Sequence, residues 1–575
     1  DDLKIFFKED YLKTHENLWN FAKNKGESPP NIGLLYELIY STLEKSMGAR
    51  KNVREFRQSV IVDSGRKCSV CGERDLIFFR ESVNKEKFLR FNRFAVDLTE
   101  KKLVSPKFLA DGEGLCAVCF IKRTFEIYLE KEVSQVFKDI TFPSTAEIAS
   151  CDFKERALQK AKEEFINYQK KLKGILSTFQ VEPLPKLKRN FENIINIEGA
   201  LFYDENLRIK YFKDEFGVEV DERTLNELKN LLKDITDKVG KPNSYYAILY
   251  LDGDNMGKWL SGELLPEIEF SYNSSVWEKL DEDFKNRLKE ALPLNNFFKP
   301  RKILTPAVHA SISTALRNYA LEFVRKIVEE EHLGKLIYAG GDDVLAFVNL
   351  KDLLDVMHKL RWAFSGKIKI VNGRIEVDLT DNTGFVEKNG RYLLTMGSQA
   401  SASVGVVIAH YKTPLQIVIK KVFEMEKEAK SEGRNGFAIC LMRRSGEERV
   451  AKAKWVYEEK DTVKILKNLI NAFDEENQDG YIAKSFIQKV YNNFIRLKEN
   501  ERFIATGEIF NVELSRLLKR SYNLPKGIKV EEEKKKGFLN SVFENMKNLF
   551  WDTGESLDNF VNFLIILVFI LKAEE

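Results

Sequence analysis

The chain lacks any excess of charge: 92 Lys and Arg face 88 Asp and Glu, a net +4 over 575 residues. That excludes a globally basic polyanion binder, so any nucleic-acid contact must use local patches. Long apolar runs are missing too. The longest, Phe563–Leu571, falls well short of the roughly 18 residues a membrane span needs and reads as a buried helix. No membrane partner is expected. The opening Asp1-Asp2-Leu3-Lys4 has no secretory-signal character, so an intracellular, cytoplasmic protein is expected. The missing initiator Met points to a piece of a longer chain. Proline is scarce at 13, with 31 Gly against 42 Phe, which favours large helix-rich cores. With 43% apolar and 31% charged residues, a disordered chain is excluded. The length suggests about four domains.

What is present changes character along the chain. Residues 1–65 read as mainly helical, on the spacing of Leu34, Leu35, Leu38, Ile39 and Leu43. Residues 66–120 hold two cysteine pairs and short strand-like runs. Residues 121–240 are helical and highly charged, broken near Pro183 and Pro185. From Lys241-Pro242-Asn243 to residue 442, β-rich runs alternate with helices. Residues 443–575 read as a C-terminal helical bundle, with a stripe from Phe486 through Val490 to Phe494.

Cysteines are few, and four of the six fall in two C-x-x-C pairs, Cys68/Cys71 and Cys116/Cys119. Four thiolates form the soft tetrahedral set that suits Zn²⁺. Within each pair the two-residue spacer lets a tight turn aim both sulfurs at one metal, and Gly72 fits such a turn. A structural zinc site is expected. Disulfides are the alternative, and a catalytic zinc would need an open position that four Cys do not leave. Cys151 and Cys440 read as buried small hydrophobes.

The sharpest pattern is Lys335-Leu-Ile-Tyr-Ala339-Gly340-Gly341-Asp342-Asp343-Val344-Leu-Ala-Phe-Val348, two apolar runs around Gly-Gly-Asp-Asp. This is a β-hairpin by pattern. Adjacent carboxylates at its mouth repel unless a cation neutralises them. A second strand, Tyr246–Leu251, also ends in carboxylates: Asp252-Gly253-Asp254-Asn255-Met256-Gly257-Lys258. The two strand ends together suit two divalent cations, magnesium or manganese, and the NH groups around Gly253–Gly257 suit phosphates. Two decorative acidic turns are the bland alternative. A strand to Asp252, a helix over 307–331, the hairpin, a helix from about 351, a strand over 402–409, a helix over 415–431 and a strand over 437–441 give a ferredoxin-like split βαβ order. The expected fold class is therefore α+β and multidomain, a ferredoxin-like domain with a zinc-binding insertion and helical domains.

Gly340-Gly341-Asp342-Asp343, preceded by the Asp-x-Asp strand end, resembles the palm of the GGDEF nucleotidyl cyclases. Ser403-Val404-Gly405-Val406 looks like that family's following strand, and Lys427–Asn435 looks like its A-K-x-x-G-R/K-N helix end. By that match Asp252, Asp342 and Asp343 hold the catalytic metal, while Lys430 and Arg434 contact the triphosphate. A surface Lys and Arg finishing a helix is the alternative. The Gly-Gly-Asp-Asp variant, the upstream cysteine pairs and the helical C-terminal part resemble a narrower family. It is the large palm-containing subunit of type III CRISPR effector complexes, in the type III-B (Cmr) branch. Thr305–Leu316 resembles its P-x-x-H-x-x-I-S-x-A-L helix, so His309 is a candidate for base or ribose contact or, alternatively, a packing residue. The resemblance implies partner Cas (Cmr) proteins, CRISPR RNA and target RNA. It also implies ATP at the palm, with Gly253, Asp254, Asn255, Gly340 and Gly341 around it, and cyclic oligoadenylate synthesis. A nucleotide-binding scaffold with little chemistry of its own is the competing expectation. The five histidines His15, His309, His332, His358 and His410 each precede a residue other than Asp, so no HD nuclease is expected here.

Overall fold

The computed structural model describes residues 2–25, 32–53, 65–81, 95–98, 108–109, 111–132, 142–177, 179–191, 196–295, 298–499, 502–503 and 507–574. At its centre is a six-stranded sheet. Its elements in chain order are β1 (Tyr245–Gly253), α1 (Pro306–Asn318), β2 (Gly334–Gly340), β3 (Asp343–Val348), α2 (Leu353–Ser365), β4 (Ala402–His410), α3 (Leu415–Ser431), β5 (Gly436–Met442) and β6 (Glu448–Lys454). The sheet order is β6-β5-β4-β1-β3-β2. β1 runs antiparallel to both β4 and β3. The four strands β4-β1-β3-β2 are the ferredoxin-like core, with β5 and β6 added at one edge. The sequence reading closed the unit at 442; the sheet continues one strand further, to Lys454.

Both faces of this sheet are covered, which explains its continuous apolar strands. Ala247, Leu249 and Leu251 of β1 face a core containing Tyr319, Phe323, Leu353 and Leu360. Tyr246 and Ile248 face the other way, onto Val418 and Val422 of α3 and onto Ala146, Ile148 and Ala149 of the helix Thr145–Lys160. Strand alternation therefore serves two cores. Thr305 caps α1, accepting from the Val308 N–H at 3.4 Å, and Pro306 opens the helix.

Two small hairpins stand between α2 and β4. Ile368–Val371 pairs with Arg374–Val377, and Phe385–Lys388 with Arg391–Leu394. Their turns are Asn372-Gly373 and Asn389-Gly390, all four residues at positive φ, a strong hairpin signal that the sequence reading overlooked.

The C-terminal helices share the core of the sheet. Phe563, Leu567 and Ile570 of the last helix, Leu557–Glu574, lie in the same cluster as Leu249 and Phe437. This helix also covers the outer edge strand. The Asn559 amide donates to the Lys452 carbonyl at 2.9 Å, and its oxygen accepts from the Lys452 N–H at 2.9 Å. Asn562 donates to the Val450 carbonyl at 2.8 Å. No helix among the described residues is long and apolar enough to cross a membrane.

At the other end of the chain, the helices Glu9–Lys25 and Tyr36–Asn52 dock on the segment between β1 and α1. Arg301 donates two hydrogen bonds to buried Glu37, at 3.0 and 2.6 Å.

Candidate nucleotide and metal sites

The acidic hairpin is a two-residue turn: Gly340 pairs with Asp343, leaving Gly341 and Asp342 at the tip. Of these two, only Gly341 has positive φ, at 76°. That is the pattern of a type II′ turn, whose leading position demands Gly. Gly340 answers a different need. A side chain there would overlap the Tyr338 hydroxyl, which lies over it. A bulge between Leu336 and Tyr338 shifts the register just before this point.

β1 ends beside the hairpin. Leu251 pairs with Val344, so Asp252 and Asp343 follow at neighbouring positions. A Cβ on Gly253 would lie 2.9 Å from the Asp342 Cβ and 3.1 Å from Phe364. Only glycine lets the strand end approach the turn this closely. Burial pushes the Asp342 carboxyl above the usual carboxylate range, and the charges of Asp252 and Asp343 push the same way. Asp343 is raised as well, by burial first and then by the charge of Asp252. Asp342 and Asp343 thus lie close enough to Asp252 to feel its charge.

α3 brings a cation to them. Lys430 bonds Asp252 and, at 2.6 Å, Glu426 one turn earlier. Burial works against its ammonium, yet these two carboxylates hold its pKa above the usual lysine value. The close approach of α3 depends on Gly405 in β4, where a Cβ would lie 2.5 Å from the Val422 carbonyl. Glu426 and Gly405 carry the geometry of Lys430. The i, i+4 spacing of Glu426 and Lys430 was the visible signal for the former.

The other expected ligands fare differently. Arg434 follows α3 with φ of 62°, and its exposed side chain makes no ion pair with any described residue. Asn255, also left-handed at φ 57°, starts the short helix Met256–Leu260. Asp254, expected beside a cofactor, is buried and already engaged. Its oxygens accept from the Ser401 hydroxyl at 2.7 Å, the Ser403 hydroxyl at 2.8 Å and the Asn435 N–H at 2.9 Å. His309 is engaged as well. Its Nε2 bonds the Leu260 carbonyl at 2.8 Å, so that nitrogen carries a proton, and its Nδ1 meets the Tyr36 hydroxyl at 2.8 Å. Both nitrogens therefore serve packing in this conformation, the alternative stated for His309, while Asp254 bonds protein groups.

The cysteine module is separate. Sγ atoms of Cys68, Cys71, Cys116 and Cys119 lie within 4.8 Å of one another, the one such group among the described residues. All four are free thiols, so the disulfide alternative is not realised. Cys71 and Cys116 sulfurs are 3.9 Å apart. Four sulfurs on one zinc lie about 3.8 Å apart for a Zn–S bond of ~2.3 Å, so the donor set fits. Backbone N–H groups of Arg74 and Glu73 hold the Cys71 thiol down, at about 6. The first pair sits in a turn closed by Gly72 at φ 66°. The second differs from the expected turn: Cys119 lies in the opening turn of the helix Ala117–Glu132. Ser69 N–H donates to the Gly114 carbonyl at 2.7 Å and joins the two halves.

Fold and site together define a ferredoxin-like palm domain and, apart from it, a four-cysteine cluster that could hold a metal ion. Residues 245–438 match the family described as Cas10/Cmr2, second palm domain. A Cmr2 subunit of the CRISPR Cmr system from Pyrococcus furiosus is 28% identical over 463 residues, 79% of this chain and 44% of the relative. One from Saccharolobus solfataricus is 25% identical over 57% of this chain and 37% of the relative. A type III-B Cmr-beta structure bound to cognate target RNA superposes with a TM-score of 0.58 at 18% identity, covering 94% of this chain and 62% of that one. The apo Cmr-beta structure gives 0.56. The chain is thus similar to Cmr2 subunits over much of its length, and the Cmr-beta structures share its fold. The aligned part spans less than half the length of either curated relative.

Proposed function

We propose that the palm binds ATP with a divalent cation and joins adenylates into cyclic oligonucleotides, within an RNA-guided complex of Cmr proteins, CRISPR RNA and target RNA. One observation carries this reading. The Gly-Gly-Asp-Asp turn abuts the Asp252 strand end through Gly253, and Lys430 lies on the same cluster. Asp252, Asp342 and Asp343 would hold the cation. A bound divalent ion neutralises phosphate charge and lowers the pKa of an attacking ribose hydroxyl. Lys430 and Arg434 would face the triphosphate, Lys430 exchanging Asp252 for phosphate oxygens. Tyr250 donates to Asp252 at 3.5 Å and helps to orient it. The four cysteines would hold one zinc that stabilises its own small module.

A second reading is a nucleotide-binding scaffold, with RNA cleavage done by a partner subunit. Its support is that the three carboxylates are not gathered as tightly as the cysteines, while Lys430 already neutralises Asp252. Incubating the assembled complex with ATP, Mg²⁺ or Mn²⁺, CRISPR RNA and target RNA, then weighing the products, separates the two. Cyclic oligoadenylates are expected. ATP bound but never consumed would favour the scaffold.

A further inference from the structure

The turn after α3 is held by a buried relay from the metal side of the site. Gly433, Arg434 and Asn435 all have positive φ, at 88°, 62° and 51°. Three consecutive left-handed residues, two of them not glycine, persist only where surrounding bonds over-determine them. Those bonds are present. The Asn435 N–H donates to Asp254, and the Asn435 carbonyl accepts from the Trp455 N–H at 3.2 Å. The Asn435 side-chain oxygen accepts two bonds from Arg361, at 3.2 and 2.8 Å. Arg361 is 2% exposed, donates its remaining arm to Ser365 and stacks on Trp362 with 4.5 Å to the ring centre. Asp254 is also tied to β4 through Ser401 and Ser403, two residues from Asp252.

We propose that Asp254, Asn435 and Arg361 are positioning residues. They fix the spacing between the acidic strand end and the turn after α3 that presents Arg434 to a triphosphate. The inference rests on the nucleotide-binding reading above. A single carboxylate, Asp254, bonds the backbone of the phosphate-side turn while its neighbour Asp252 belongs to the acidic cluster. Arg361 locks the turn from beneath without reaching the ligand. Its planar fork suits a two-point grip on one amide oxygen, which lysine cannot reproduce.

Asn435→Gly tests this. It keeps the left-handed backbone and the N–H to Asp254, and removes only the amide that Arg361 holds. In the full chain, ATP binding should weaken about tenfold, the size of one charge-assisted hydrogen bond. Adenosine binding should stay unchanged, because the turn serves the phosphates. A general loss of fold would lower the active fraction for both ligands and shift neither affinity. In an Arg434→Ala background, Asn435→Gly should add little, since it acts through that arginine. Arg361→Lys, a milder change, should show the same selectivity and covers the case in which Asn435→Gly fails to fold. Unchanged ATP affinity in both variants, equal loss for adenosine, or full additivity with Arg434→Ala would each overturn the proposal. If the wild-type chain itself bound ATP no better than adenosine, the nucleotide-site reading would fail instead.

Discussion

Asp342 and Asp343 shape what the site does at the scale of single residues. Both carboxyls are raised by burial and by the neighbouring acids. A raised acid favours the folded state while protonated, and that contribution is lost as pH rises through the folded value. Metal-free Asp342→Asn should therefore melt higher than wild type at pH 7–8, by about 2 °C, with the difference vanishing below the ordinary carboxylate pKa. A thermal-shift series against pH checks this. The double change Asp342→Ala with Asp343→Ala should cut oligoadenylate formation at least a hundredfold while sparing assembly with CRISPR RNA, because the pair sits on a turn. The acidic hairpin was legible because Gly-Gly between two apolar runs admits few backbones. Asp254 was not. In sequence it matches Asp252 as half of an Asp-x-Asp, and its partners Ser401, Ser403 and Asn435 lie far along the chain. For His309 the sequence leaves packing and ligand contact both open, since Tyr36 reaches it from a distant helix.

At the scale of elements, close approach decides where Lys430 sits. β4 is buried along its whole length, and α3 lies across Gly405. The three atoms facing an added methyl there, the Glu426 nitrogen, the Val422 carbonyl oxygen and the Met425 carbonyl carbon, are all backbone, so no rotamer relieves the overlap. Gly405→Ala should destabilise by roughly 1–3 kcal/mol and shift α3, weakening Lys430's grip on Asp252. Denaturant unfolding gives the first quantity, and ATP binding compared with adenosine gives the second. Strand and helix order in the palm was readable from alternation and length. The two inserted hairpins are equally readable, since Asn372-Gly373 and Asn389-Gly390 lie between alternating residues. The added strand β6 was harder. Its sequence Glu448–Lys454 is polar at alternate positions and pairs only on one side.

For the whole molecule, two modules stand on different support. The cysteine module has a small core of Leu98, Leu109 and Leu115 around the thiols. A domain this small leans on its metal. Protein prepared without chelator should carry one zinc per chain. Stripping it, or replacing Cys71 with Ser, should release the module to protease while palm binding of ATP persists. Elemental analysis and limited proteolysis report the two outcomes. The palm, by contrast, shares its core with the C-terminal helices, so removing residues 450–575 would bare Phe437, whose ring meets those of Trp455 and Phe563, rather than detach a separate bundle. This merging could not be read from helical stripes, which show that a face is apolar but not what covers it. The Asn559 and Asn562 contacts with β6 carry a consequence for synthesis on the ribosome. The outer rim of the sheet emerges with Lys454, but its cover arrives only with the helix that begins at Leu557. Until that helix has been translated, the nascent chain presents unpaired peptide groups to other polypeptides. Stalled or truncated translation products are therefore expected to be the sticky species in the cell, and the finished chain the one that stays single.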